Sequence, residues 1–424
     1  MEPRGSLAER SYVLREVMVL DEGGGFGGPC DVAVEGGIVA AVGRNLASAP
    51  SPAYDFRGLW LIPGMFDCHV HVVATSLDMM ELLRTPLSER ILEAGAILDR
   101  TLRSGVTFAR DAGGADAGIK RAIDRGYASG PQLQVAVTPI SQTGGHFDGF
   151  IAGPAIDLSA GYQFPDYPGR PQILVDGVEE MRKAVRARLR SGADWIKLTT
   201  TGGIMSAHGS GTMPEFTRDE IAVAVFEAGR KGKHVMTHCF GGEALHNSVM
   251  AGVRSIEHGI FLTEQDAQLM AARGAWLVPT LSALRDVWRW ADEGRLPLYA
   301  AKKVKELSLQ LGQSVKIAHD YGVKIALGTD FISREQQGHN LGEIALAADA
   351  GLGPQKALLA ATKGGAELCG VADHYGRIAP GFVFDTIVLD KDPSDLQFAR
   401  QGSISGLFKS GAPVIWHPRM AQTA

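Results

Sequence analysis

From residue 63 onward, short apolar runs recur near 65–72, 106–111, 132–140, 194–200, 233–239, 255–258, 276–281 and 324–329, mostly separated by helix-like segments. Parallel strands need a long crossover between them, and a helix is the usual one. Eight strands alternating with helices therefore predict an α/β fold built as a (β/α)8 TIM barrel. Two of the helices are legible in detail. Segment 176–192 opens on Asp176 as its cap, carries Val178, Met181, Val185 and Leu189 at helical spacing, and stops at Gly192. Thr217 and Glu220 make a capping box for a helix that ends at Gly232.

The flanks read differently. Residues 12–20 and 31–42 are strand-like and separated by the Gly-rich turn 21–28. After helical segments across 341–372, strand-like pieces return at 385–390 and 412–416. We expect 1–62 and 373–424 to pair into one small discontinuous β-sandwich domain, with 63–372 as the barrel.

Polar residues of one chemical kind sit where the apolar runs end. His69 and His71 close the first run, and residues i and i+2 of a strand point to the same side, so both imidazoles converge. That is how one rigid element offers two nitrogens to a divalent metal. Lys197 follows in the fourth run, His238 in the fifth, His258 in the sixth and Asp330 after the eighth. Barrels of this type take their catalytic groups from the C-terminal ends of different strands. A surface lysine or a wet-face histidine would explain any one of these residues; the joint pattern points to a metal site.

Composition narrows the partners. The 42 Lys and Arg against 47 Asp and Glu, a net charge of −5, are spread along the chain, without a basic block for nucleic acid or an acidic tail. The four cysteines (Cys30, Cys68, Cys239, Cys369) have no paired spacing and read as packed thiols. No signal-peptide core opens the chain, and nowhere do about 18 apolar residues run uninterrupted. The expectation is a cytoplasmic protein without nucleic-acid or membrane partners.

These residues and the phrases around them resemble the metal-dependent amidohydrolase superfamily. The resemblance runs from the N-terminal β unit through Pro63-Gly-Met-Phe-Asp-Cys-His-Val-His71 to Gly376-Arg-Ile-Ala-Pro-Gly-Phe-Val-Phe-Asp-Thr-Ile-Val-Leu-Asp390. It implies that His69, His71 and Asp330 hold a buried metal and that His238 and His258 hold a more exposed one. Lys197 would be carboxylated by CO2 to N6-carboxylysine. The charge argument agrees: an ammonium would repel two dications, whereas a carbamate offers each an anionic oxygen. Zinc is the metal expected for imidazole and carboxylate ligands, with Mn2+ and Co2+ as alternatives. Asp330 would serve as general base and then general acid.

Within the superfamily, Ser104-Gly-Val-Thr-Phe-Ala-Arg-Asp-Ala-Gly113, Asp194-Trp-Ile-Lys-Leu198, Gly202-Gly-Ile-Met205 and Ile256-Glu-His-Gly259 are similar to the Xaa-Pro dipeptidase and carboxypeptidase branch. There the loop ending in His146 places a histidine facing the scissile group. His208 and Met205 follow the fourth strand, Met205 as an apolar wall. Phe240 stands where some relatives carry a carboxylate-binding tyrosine, a bond that phenylalanine cannot make. Arg285 and Trp288, with Trp290 nearby, would supply a charge and an aromatic wall, and Phe331 completes the candidate substrate-binding set. The insertion 141–172, with Phe147, Phe150, Tyr162, Phe164 and Tyr167, is expected over the barrel mouth.

The implied activity is release of an amino acid from an N-acyl amino acid or dipeptide. The substrate is a small-molecule amide, and ochratoxin A, which some relatives hydrolyse to L-phenylalanine, falls in that class. The alternative is a cyclic-amide or lactone hydrolase, which a closed site without a cationic anchor would favour. The resemblance also implies a homo-oligomer, with an octamer as one form.

Overall fold

The computed structural model describes residues 10–47, 51–158, 167–206, 211–307 and 312–421. Eight parallel strands form two sheets. Met65–Val70, Val106–Asp111 and Gln132–Val135 make one; Trp195–Thr199, His234–Cys239, Ser255–His258, Trp276–Val278 and Lys324–Ile325 make the other. Backbone hydrogen bonds connect the two sheets on both sides. Ile140 N donates to Lys197 O at 2.8 Å and Thr199 N to Ile140 O at 3.0 Å, while Cys68 N reaches Leu327 O at 2.8 Å. The runs read at 132–140 and 324–329 are thus strands only in part, their remainder crossing between sheets as irregular backbone.

Burial explains the sequence of these strands. Every described position in Met65–Val70, Val106–Asp111, Trp195–Thr199 and Ser255–His258 is buried, as expected when helices cover one face and the opposite strands the other. One buried cluster joins the strands of both sheets through Phe66, Phe108, Trp195, Met236, Trp276 and Val278, with Phe66 and Phe108 stacked at 4.7 Å. Apart from Val278, which ends its strand, these residues lie in the body or at the N-terminal ends of their strands, whereas His69, His238 and His258 lie at or next to the C-terminal ends. Gly328 belongs to the same packing: a Cβ there would lie 2.8 Å from His69 N and from Val278 Cγ1.

The terminal segments share one sheet, in the order Ala412–Ile415, Gly406–Lys409, Thr386–Leu389, Trp60–Pro63, Tyr12–Val19, Cys30–Glu35, Ile38–Gly43, with Ala53–Asp55 pairing with Tyr12–Val19. Ile387 lies antiparallel opposite Ile62, which joins the two ends of the chain. The strand expected over 31–42 is two strands, because Gly36 and Gly37, at φ +58° and +88°, turn the chain into a hairpin. A second expectation is corrected at the helix Val178–Arg190. Its N-cap is Gly177, and Asp176 instead accepts from Thr143 N and Oγ1 at 3.1 and 2.6 Å. The Thr217–Glu220 capping box is present as read. Among the described residues, no helix is long and apolar enough to cross a membrane.

Candidate active site

The six residues picked out at the strand ends meet in one cavity of about 100 Å3, lined by His69, His71, Lys197, His238, His258 and Asp330 together with His146. His69 Nε2 and His71 Nε2 lie beside Asp330, whose Oδ1 is 3.5 Å from the first and 3.2 Å from the second, and Lys197 Nζ is 3.3 Å from His69 Nε2. Donor atoms of His69, His258 and Asp330 all lie within 4.8 Å of one another. His258 and Asp330 reach the centre by leaving regular strand geometry, at φ +73° and +53°, a region more tolerant of His and Asp than of bulkier residues.

The outer edges of the rings are already occupied. His69 Nδ1 binds Glu257 Oε2 at 2.8 Å, His71 Nδ1 binds Gly113 O at 2.9 Å, and His258 Nδ1 binds Thr280 Oγ1 at 2.7 Å. For His69 the carboxylate acceptor on the outer nitrogen places the ring proton there and leaves the inner nitrogen as a lone pair, whereas His71 faces an acceptor on both sides, Gly113 O and Asp330. His238 is turned the other way, with Nε2 3.3 Å from Gly202 O. Glu257 is itself fully buried, accepting from Arg110 Nη2 at 2.9 and 3.1 Å and from Ser255 Oγ at 2.6 Å. Arg110 also donates to Cys68 O at 2.6 Å and lies over the Trp195 ring.

Burial sets the charge state. It holds His146 down at about 3 and His258 at about 4, and keeps His69 and His238 well below the ordinary histidine value, so these rings are neutral. His71 is the exception: burial is outweighed by its hydrogen bond to Asp330, which raises it. For Asp330, burial is outweighed by His69, His71 and His258, and its carboxyl is held well below the usual range. Burial lowers the Lys197 amine to about 8 against the pull of Glu257 and Asp330. The result is a group of neutral rings, one carboxylate hydrogen-bonded to His71 and one easily neutralised amine converging on the same space. That donor set fits a divalent cation.

The substrate-side residues divide. Met205 and Phe240 line the cavity beside Ile204, Ala283, Leu284 and Val287, and Phe147 of the insertion joins them. Arg285, Trp288 and Phe331 do not. On the helix Leu281–Asp292 the cavity-facing stripe is Ala283, Leu284 and Val287; Arg285 points away and pairs with Asp286 at 3.0 Å, and Trp288 is 47% exposed. Phe331 is buried, away from the cavity lining, and Trp290 gives its Nε1 proton to Glu335 at 2.6 Å. Phe150 is exposed on a short hairpin and Tyr167 is half-buried, whereas His208, Tyr162 and Phe164 lie outside the described residues. A wider cavity of about 880 Å3, bounded by residues 74–78, 295–299 and 332–335, adjoins the first and shares Ala74, Met205 and Ile332 with it.

An α/β fold whose strand ends carry this histidine, lysine and aspartate set suits a hydrolase, and sequence comparison supplies the family. The profile described as "Amidohydrolase family" matches residues 60–414, and the chain belongs to that family; it is a hydrolase of the amide- and peptide-bond class. It is similar to the ochratoxinase of Aspergillus niger, 31% identical over 364 residues that span 83% of this chain and 75% of that protein. Among solved structures it resembles a prolidase complexed with N-methylphosphonate-L-proline (32% identity, TM-score 0.88, covering 95% of this chain and 98% of that one). A Xaa-Pro dipeptidase with methionine bound in its active site is also similar (28% identity, TM-score 0.85, covering 95% and 99%).

Proposed function

We propose that this chain is a binuclear metal-dependent amidase that releases an amino acid from an N-acyl amino acid or dipeptide, with bulky aromatic acyl groups such as that of ochratoxin A within its range. The observation that carries the reading is the convergence of His69, His71, Lys197, His238, His258 and Asp330 on one cavity, with the outer nitrogens of His69, His71 and His258 already bonded. The names of the relatives support the amide class. In this reading the eight strands form the (β/α)8 barrel of 63–372, and the terminal sheet is its appended domain.

His69, His71 and Asp330 would hold one ion and His238 and His258 the other, with zinc the metal expected. Lys197 would lie between them as a carbamate, formed when its neutral amine adds to CO2 and releases a proton. When bound, such ions lower the pKa of water and polarise a carbonyl. Asp330 takes a proton from the attacking water and passes it to the leaving nitrogen. His146 offers a hydrogen bond to the carbonyl oxygen as charge develops there. Ile204, Phe240, Leu284 and Val287 keep bulk water from the reacting bond, and the wider cavity takes the acyl group.

One observation favours the second reading. The inner cavity has no arginine among its described residues, which suits a neutral cyclic amide or lactone. Hydrolysis of a panel of N-acyl amino acids including ochratoxin A, with products identified by mass spectrometry, decides between them. Release of a free amino acid, abolished by a chelator and restored by Zn2+, is the expected result. Silence across that panel from metal-loaded enzyme, with turnover of lactones, would overturn it.

A further inference from the structure

The segment 203–206, just past the strand Trp195–Thr199, is held from outside by one helix, Leu298–Leu307. Lys303 donates to the carbonyls of Gly203 and Ser206 at 3.2 and 2.8 Å. Tyr299, one turn earlier, donates its hydroxyl to Met205 O at 3.2 Å. Within the segment, Ser206 Oγ accepts the Gly203 N–H at 2.9 Å and lies 2.5 Å from His146 Nδ1. The His146 ring lies flat on His238, with centroids 4.2 Å apart and planes at 17°. Its other surroundings are equally close: a Cβ on Gly203 would come within 2.4 Å of His146 Cε1, so only glycine lets the ring sit there.

The ring's proton can be located by accounting for donors. A serine hydroxyl gives one hydrogen bond and accepts up to two. Gly203 N–H fills one acceptor position of Ser206. If His146 Nδ1 carried the ring proton, it would fill the second, and the Ser206 proton would face no acceptor among the described residues. Ser206 is only 4% exposed, and folded proteins rarely leave a buried donor unpaired. If the hydroxyl instead donates to Nδ1, every donor is matched and the ring proton sits on Nε2.

We propose that Ser206 is a positioning residue that fixes His146 as the Nε2–H tautomer, so that the ring presents a hydrogen-bond donor to the substrate's carbonyl oxygen. Lys303 and Tyr299 hold Ser206 where this requires. The donor role rests on the reading of His146 given above; the tautomer does not.

The test is nitrogen NMR of zinc-loaded enzyme carrying 15N-histidine, with the His146 signals identified by their loss in His146→Gln. The expected spectrum shows Nδ1 unprotonated and Nε2 protonated; the reverse overturns the proposal without any further variant. Ser206→Ala should lower kcat by about 10- to 100-fold, below the roughly 10²–10³-fold cost of deleting an oxyanion donor. KM and zinc content should stay within about twofold, and Ser206→Thr, which keeps the hydroxyl, should recover most of kcat. Full activity in Ser206→Ala would overturn the positioning role. Full activity in His146→Gln, with the Nε2–H spectrum intact in the parent enzyme, would remove the donor role while leaving the tautomer standing.

Discussion

Glu257 is the residue whose replacement separates two functions that one side chain combines. It accepts from Arg110, Ser255 and His69, all in the buried interior. Glu257→Gln keeps the shape but turns one oxygen into an NH2 group, so whichever way the amide lies, it faces either the Arg110 guanidinium or the His69 ring proton donor to donor. Breaking a buried pair on one side costs about 3–5 kcal/mol. The low end applies here, because Arg110 keeps Cys68 O, Ser255 Oγ and the Trp195 ring. At roughly 2.1 cal/mol/K per residue, unfolding 424 residues carries an entropy near 0.9 kcal/mol/K, so a loss of about 3 kcal/mol lowers Tm by only about 3 °C. The second effect is on His69, whose outer partner sets its tautomer; loss of such a partner weakens metal binding about 10- to 100-fold. Thermal melts of metal-free protein read the first effect, and competition against a chelator reads the second. Adding Arg110→Met to Glu257→Gln should recover most of the melting temperature, since the unpaired charge is gone, without restoring metal affinity. If Glu257→Gln melts lower but binds metal as tightly as the parent, Glu257 only neutralises Arg110 and the orienting argument for His69 is wrong.

The remaining predictions concern the centre, the wider cavity and pH. Lys197→Ala should lose most bound metal, as measured by elemental analysis; full metal content with full activity would refute the carbamate. Asp330→Asn should keep its circular dichroism spectrum while kcat falls at least about 10²-fold, as expected when a general acid–base group is lost; near-normal turnover would remove that role. Leu77→Trp, which narrows the wider cavity, should reduce kcat/KM for bulky N-acyl substrates about tenfold or more while N-acetyl substrates are spared. Glu343 is a buried carboxyl that caps the amides of Leu281 and Ser282, and burial raises it to about 7. The folded state therefore keeps a proton that the unfolded chain releases, and this group's stabilisation is complete below about pH 4.5 and declines as pH rises to about 7. Glu343→Gln lacks that decline, so its Tm should gain on the parent's across this window; a pH-independent gap would contradict the raised value.

What could be read in the sequence follows from how local each signal is. The pairing of His69 with His71 needs only the two-residue repeat of a strand, and Thr217 with Glu220 only one helical turn, so both are visible in a few letters. The same repeat misleads at the edge of the site. Glu257 and His258 are neighbours, and an ideal strand would point them to opposite faces, yet both contribute to the centre because His258 takes a left-handed backbone. The layer behind the ligands is not legible in the sequence for a different reason. Arg110 reaches Glu257 across 147 residues of chain and His69 reaches it across 188, so no window of sequence contains either contact. The arginine within the run Val106–Asp111 is the available clue, since a buried guanidinium requires acceptors that the strand itself does not supply. Arg285 and Trp288 have suitable chemistry, but on a helix the phase is the better guide. Ala283, Leu284 and Val287 share the stripe that leads from Thr280 into the cavity, and neither Arg285 nor Trp288 falls on it. At a strand end, residue type predicts the site because the fold supplies the direction; on a flanking helix direction must be read first, and only then does the chemistry of the side chain count.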